Sequence, residues 1–319
     1  MKRRHFIKKS GYTLMGLGLT SAALNSCSDL LSESAAMQLK GEIPAEGLPF
    51  RISLAQWSLH KSFWTGKLDN LDFAQYTKEQ FGIDAVEYVN QFFSDKATDT
   101  VYLSKMNQRA NDHGVSNQLI MIDAEGNLAS LDEKSRLQAV ENHYKWIDAA
   151  KFLNCHTIRV NAAGKGERNA VASAAVDSLG RLSEYGAKEG INVVVENHGG
   201  YSSDASWLAG VMKQVNNPYC GTLPDFGNFT MSLFPYKKYD PLQGLKELMP
   251  YAKGVSAKAH DFNSAGEDKS IDFPAMIQIV KDFDYQGHVG IEYEGYKLSE
   301  DAGIKATKEL LIRSGQGLS

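Results

Sequence analysis

The sequence predicts a (β/α)₈ TIM barrel, and three observations predict it. Eight short apolar runs follow one another from residue 51 onward, amphipathic helical patterns separate them, and polar residues collect where the runs end. Strands that alternate with helices must lie parallel, because only a crossover connection carries the chain back to the same end of a sheet. Eight such units in about 265 residues fit the size of a closed barrel. A doubly wound open sheet is the competing arrangement, but no glycine-rich phosphate fingerprint follows the first run.

The chain opens on a segment that reads as an address rather than as fold. Lys2-Arg3-Arg4-His5-Phe6-Ile7-Lys8 matches a twin-arginine export signal, and the apolar stretch over 11–26 is too short and too rich in small residues for a membrane helix. Leu24-Asn25-Ser26-Cys27 resembles a bacterial lipoprotein box, with Cys27 as the lipidated first mature residue. Simple cleavage nearby is the other reading. Both place the protein outside the cytoplasm, in the periplasm or anchored to a membrane. Residues 28–48 are small and polar and read as a tether, which leaves 49–319 as one catalytic domain.

The expected strands are 51–57, 85–89, 117–122, 156–161, 191–197, 220–225, 254–260 and 288–294. Helical spacing is clearest over 131–153, 168–188 and 300–313. In the first of these, Leu137, Val140, Tyr144, Ile147 and Ala150 form one apolar stripe. Serine, aspartate or proline often stands just ahead of these helices, as expected of N-caps. No stretch between 50 and 315 has linker composition.

Composition narrows the function. Five of the 34 Lys and Arg and none of the 38 Asp and Glu precede Cys27, which leaves 29 against 38, a formal charge of −9, on the mature chain. That balance argues against a nucleic-acid partner. Cys155 and Cys220 are the remaining cysteines, and two buried thiols are expected rather than a disulfide.

Barrel chemistry gathers at the C-terminal ends of the strands. There the sequence places Trp57, Glu87, Asp123, Arg159 with Asn161, Glu196 with His198, Asp225 with Asn228, Lys258 with His260, and Glu292 with Glu294. Residues two apart on a strand face the same side, so each of the last four strands offers an acid or imidazole to one mouth. Several acids there would repel unless a cation sat among them. A set of Glu, Asp, His and Glu suits one divalent ion such as Mn²⁺, Mg²⁺, Co²⁺ or Zn²⁺. A structural network pairing Glu196 with Arg159 or Lys258 is the alternative. Trp57 reads as wall packing or as a stacking surface for a sugar.

VVVENHGG (193–200), LPDFGNF (223–229), SAKAHDF (256–262) and GHVGIEYEG (287–295) together resemble the xylose isomerase-like barrels known as sugar phosphate isomerases/epimerases. The likeness spans about residues 50–315. It implies a metal quartet of Glu196, Asp225, His260 and Glu292, with Glu196 and Glu292 also moving protons. Family members commonly read His-x-Lys-Asp on the seventh strand, whereas this chain has Lys258-Ala259-His260-Asp261. Parity selects His260 as the ligand, and Lys258 is the alternative.

The expected reaction is proton transfer through an enediolate stabilised by the ion. Trp57, Glu87, Arg159, Asn161, His198, Asn228, Lys258 and Glu294 would bind substrate, and Trp57 and Phe226 would exclude water. Export argues for an unphosphorylated sugar or keto-sugar. A lyase or hydratase acting on 3-keto-glycosides shares the same enediolate, and a carbohydrate-binding lipoprotein without turnover is the non-enzymatic alternative. An endonuclease-like phosphodiesterase on the same barrel would need more histidines than the eight present.

Overall fold

The structure is a computed structural model that describes residues 47–317 of the 319. The export segment, Cys27 and the tether up to residue 46 lie outside the described residues. Leu48, at the end of the expected tether, is buried against the barrel, where Gly315 leaves room for it.

The chain forms the expected barrel. Its eight parallel strands are β1 (Arg51–Ala55), β2 (Ala85–Val89), β3 (Ser116–Met121), β4 (Thr157–Val160), β5 (Asn192–Glu196), β6 (Cys220–Leu223), β9 (Val255–Ala259) and β10 (His288–Tyr293). A separate antiparallel hairpin, β7 (Thr230–Leu233) with β8 (Tyr236–Lys238), interrupts the series between β6 and β9. The strand order is β6-β5-β4-β3-β2-β1-β10-β9. Parallel bridges Thr222–Ala252 and Asp225–Ser256 join the two ends of that order. Ser256 N–H donates to Pro224 O (2.8 Å) and Phe226 N–H to Ser256 O (3.0 Å), which closes the ring between β6 and β9.

The helices outside the sheet are α1 (His60–Trp64), α2 (Phe73–Phe81), α3 (Thr100–Asp112), α4 (Glu133–Phe152), α5 (Arg168–Glu189), α6 (Ala205–Val215), α7 (Pro241–Leu248), α8 (Phe273–Asp282) and α9 (Glu300–Gln316). Their starts are set by side chains. Asp99, Asp132, Glu167, Asp204, Asp240, Asp272 and Ser299 each accept a backbone N–H from the first turn, a kind of cap that stabilises a helix by about 1 kcal/mol. Gly82 and Gly190 end α2 and α5 in the left-handed region, where glycine carries no Cβ penalty.

Two apolar layers follow from strand parity. Val86, Tyr88, Ile158, Val193, Val195, Ala257, Val289 and Ile291 face the helices and belong to the large core. Ala55, Val89, Leu119, Met121, Val194 and Leu223 face inward as a small cluster, with Trp57 and Phe92 packed on it. The inner layer is small because polar residues occupy the rest of the barrel interior. Cys155 and Cys220 are both buried free thiols.

Candidate active site

The interior polar side chains start below the mouth. Ser53 on β1 donates to Glu87 Oε1 on β2 at 2.6 Å. The pairing of β2 with β3 shifts register between Val86 and Glu87, the kind of irregularity that re-aims a side chain. Gly290 on β10 makes space for it, since a Cβ at that position would stand 2.5 Å from Glu87 Oε1. Burial, reinforced by the charges of Glu292 and Glu196 and opposed by the Ser53 hydroxyl, pushes the Glu87 carboxyl up to about 7.

Two ion-paired carboxylates stand above it. Glu196, at the end of β5, lies with Oε2 at 2.8 Å from Arg159 Nε on β4, in contact as charges though off the line of a hydrogen bond. Its Oε1 accepts from Asn228 Nδ2 at 2.8 Å. Arg159 also donates to Asp123 Oδ1 at 2.9 Å, which Asn161 Nδ2 meets at 2.7 Å. Burial works against the guanidinium's charge, but Glu196 and Asp123 raise it further above its ordinary value. On the other side, Lys258 of β9 donates to Glu292 Oε1 at 3.0 Å and to Glu294 Oε1 at 2.9 Å, both at the end of β10. Its Nζ is 3.9 Å from Asp225 Oδ2. Burial alone would raise the Glu292 carboxyl, but Lys258 and Arg159 hold it below the usual carboxylate range.

Asp225 lies between the two pairs. Its Oδ1 accepts the backbone N–H groups of Gly227 (2.7 Å) and Asn228 (2.8 Å). Its Oδ2 lies 2.7 Å from Ser256 Oγ, which is also 2.9 Å from Glu292 Oε2. One hydroxyl donates one hydrogen, so a proton on one of the two carboxyls lets both contacts be hydrogen bonds. Burial pushes Asp225 up to about 8 against the pull of Lys258, with Glu196 and Glu292 adding to the rise. The consistent arrangement is Asp225 O–H to Ser256 and Ser256 O–H to Glu292.

The structure therefore brings together Glu87, Arg159, Glu196, Asp225, Lys258 and Glu292, all buried. Asn161, Asn228 and Glu294 are partly exposed around them, and His198 is exposed. The structural network weighed as an alternative for Glu196 is present, in the form of its pair with Arg159. Trp57 closes over the inner apolar cluster, stacked on His60 at 5.0 Å and set edge-on to Trp64 at 5.2 Å. Phe226 does not shield the mouth. It faces the helices, 5.7 Å from Phe273 of α8, because it is one residue out of phase with Asp225. Ser53 and Ser256 belong to the site and were not singled out by sequence; Ser256 shares the parity of Lys258, which is the signal that could have found it.

The expected metal quartet is incomplete as folded. Oxygens of Glu196, Asp225 and Glu292 lie within 4.8 Å of one another, so by spacing alone this buried triad could hold one ion. His260 is not part of that cluster; its backbone N–H donates to Asp268 and its buried Nδ1 has no hydrogen-bond partner. The side chain that reaches the acids from β9 is Lys258, one interior step deeper, and it brings an ammonium instead of a lone pair. Each oxygen of the triad already faces a protein donor or cation. A divalent ion would have to share Glu292 and Asp225 with that ammonium, so the donor set does not fit the ion in this arrangement.

Among solved structures, a xylose isomerase-like barrel protein from Mycobacterium smegmatis in complex with magnesium is 14% identical, covers 87% of this chain and 100% of its own, and has a TM-score of 0.64. D-psicose 3-epimerase from Clostridium cellulolyticum H10 is 13% identical, with coverage of 84% and 96% and a TM-score of 0.61. The 3-keto-D-glucoside 4-epimerase of E. coli is 17% identical, with coverage of 77% and 94% and a TM-score of 0.61. No curated protein matches the chain. Identities this low speak for the fold alone. The family itself rests on a sequence model, which matches residues 75–314 and takes in every strand from β2 to β10. By that match the chain belongs to the xylose isomerase-like TIM barrel family.

Proposed function

We propose that the protein is a sugar isomerase or epimerase that works outside the cytoplasm and moves a proton through an enediolate on a small unphosphorylated sugar or keto-sugar. The observation that carries this reading is the pairing of two buried carboxylates with two buried cations. Glu196 with Arg159 and Glu292 with Lys258 stand on strands three apart around the ring. Taking a proton from a carbon beside a carbonyl and returning it on the opposite face, or to the neighbouring carbon, needs one basic group on each side of the substrate. As the C–H pair becomes the enediolate double bond, the carbonyl π pair moves onto oxygen, and positive groups fixed in a dry site stabilise the charge there. Arg159 and Lys258 are such groups. The names of the structural neighbours, a D-psicose 3-epimerase and a 3-keto-D-glucoside 4-epimerase, agree with this chemistry.

The remaining mouth residues suit a polyol. Asn161, Asn228, His198 and Glu294 offer donors and acceptors at the partly exposed level, and Trp57 gives an apolar wall. Five acids, Asp123, Glu196, Asp225, Glu292 and Glu294, gather here around two cations, Arg159 and Lys258, so a phosphate group would add negative charge where acids already outnumber bases. That disfavours a phosphosugar.

The test is NMR in deuterated water on a panel of ketoses, aldoses and 3-keto-glycosides. The protein should exchange one carbon-bound proton and convert the sugar. Glu196→Gln and Glu292→Gln should each lower exchange by about 100-fold or more. No exchange with any sugar of the panel, or full exchange in both variants, would overturn the assignment.

A further inference from the structure

We infer that this barrel carries its own cation: the Lys258 ammonium, seated among Asp225, Glu292 and Glu294, stands in for a divalent ion, and the protein works without one. Three observations carry this. The ammonium is 2% exposed and lies 3.0 Å from Glu292 Oε1, 2.9 Å from Glu294 Oε1 and 3.9 Å from Asp225 Oδ2. Two of the three triad acids are therefore already engaged by a fixed positive charge, and the third, Glu196, is engaged by Arg159. His260, the only imidazole on that strand and its exit, lies outside the triad.

An ammonium has three N–H donors and no lone pair while charged. Glu292 and Glu294 take two of them, which leaves one for a substrate oxygen. The catalytic part of the inference rests on the proposed proton transfer. As one glutamate takes the carbon-bound proton, the C–H pair becomes the C=C bond of the enediolate. The carbonyl π pair moves onto oxygen, and the free N–H of Lys258 holds that oxygen. Reprotonation of the same carbon reverses the electron flow and restores the carbonyl. Where the proton goes to the neighbouring carbon instead, the hydroxyl proton passes to the held oxygen as the new carbonyl forms, and in both cases the ammonium is neither consumed nor deprotonated.

The metal part does not depend on turnover and is tested by itself. The full chain is purified without chelator, dialysed against Mn²⁺, Zn²⁺ or Co²⁺, and its bound metal is counted by elemental analysis. The wild-type protein should retain far less than one ion per chain. Lys258→His removes the ammonium and offers an imidazole beside three carboxylates, and it should bind the same ions at least about tenfold more tightly. Cobalt-loaded Lys258→His should show the visible absorption of a protein-bound ion, which the wild type lacks. One tightly held ion per wild-type chain overturns the inference, whatever the variant does. So does a folded Lys258→His protein, judged by unchanged circular dichroism, that binds no more metal than wild type. Where a sugar substrate has been found, a chelator should leave the wild-type rate unchanged, and loss of activity restored by added metal would refute the catalytic part alone.

Discussion

The substitution Glu87→Gln tests how the barrel interior is charged. The carboxyl is 2% exposed, has a Ser53 hydroxyl on Oε1, and leaves Oε2 buried without a partner. Its value is pushed from 4.5 to about 7, which at about 1.4 kcal/mol per pH unit amounts to about 3 kcal/mol. The native state keeps a proton that the unfolded chain has released, so the native state is favoured at low pH and loses stability as pH rises from 4.5 through 7. Glutamine keeps the shape and cannot ionise. Its amide accepts from Ser53 as Oε1 does and leaves its NH₂ where the carboxyl O–H stood, so near pH 5 the variant should be about as stable as wild type, within about 1 kcal/mol. At pH 8 it should be the more stable by about 2–3 kcal/mol. Urea unfolding followed by circular dichroism from pH 5 to pH 8 measures the difference, and only the difference between the two proteins matters because other groups titrate in both. Parallel pH profiles for variant and wild type would show that Glu87 ionises in the ordinary carboxylate range, and the reasoning from burial would fail.

Two further outcomes follow from single positions. Gly290→Ala puts a Cβ 2.5 Å from Glu87 Oε1 and 2.7 Å from Oε2; it should destabilise by about 1–3 kcal/mol, and adding Glu87→Ala in the same chain should recover part of that loss in a double-mutant cycle, whereas an unaffected single variant would remove the contact from the account. Cys27→Ser should move the protein from the membrane to the soluble fraction after cell breakage, since a lipid chain is the expected anchor, and unchanged partitioning would argue against lipidation.

The strands were legible because each is short, carries apolar residues on its helix-facing side and is set off by helical patterns, with the polar residues of RISLA, AVEYV, TIRV and VSAKA falling on the other side. Each expected range lies within a few residues of the strand observed. The hairpin of Thr230–Leu233 and Tyr236–Lys238 was not legible, since it lies beyond the barrel wall and its short strands are mostly exposed, with no buried face to impose alternation. In the site, Glu196, Asp225 and Glu292 could be read from strand ends and do converge. The placement of His260 in the same cluster failed for a specific reason. Parity tells which side of the sheet a residue faces but not how far along the barrel axis it sits. Depth is fixed by the register between neighbouring strands, and here Ser256 pairs with Asp225 and Lys258 with Glu292. That register puts Lys258 level with the acids and leaves His260 above them. Ser53 and Gly290 escaped notice because a small residue in mid-strand signals nothing until its neighbour is known to be Glu87.

The same register explains how the interior tolerates so many charges. Four acids, Glu87, Glu196, Asp225 and Glu292, are buried with two bases, Arg159 and Lys258. Two ion pairs account for Glu196 with Arg159 and Glu292 with Lys258. Two uncompensated carboxylates would remain in a low-dielectric space, which is costly enough that such groups take up protons instead. Glu87 and Asp225 are the two pushed upward, to about 7 and about 8, and burial is the leading cause for each. The Ser256 hydroxyl then makes sense between Asp225 and Glu292, for it can accept from one while donating to the other. Above pH 8 that relay loses its proton, and Ser256 can satisfy only one of its neighbours. The Lys258 ammonium lies 3.9 Å from Asp225 Oδ2 and 3.0 Å from Glu292 Oε1, so its charge bears on the carboxyls at both ends of that relay.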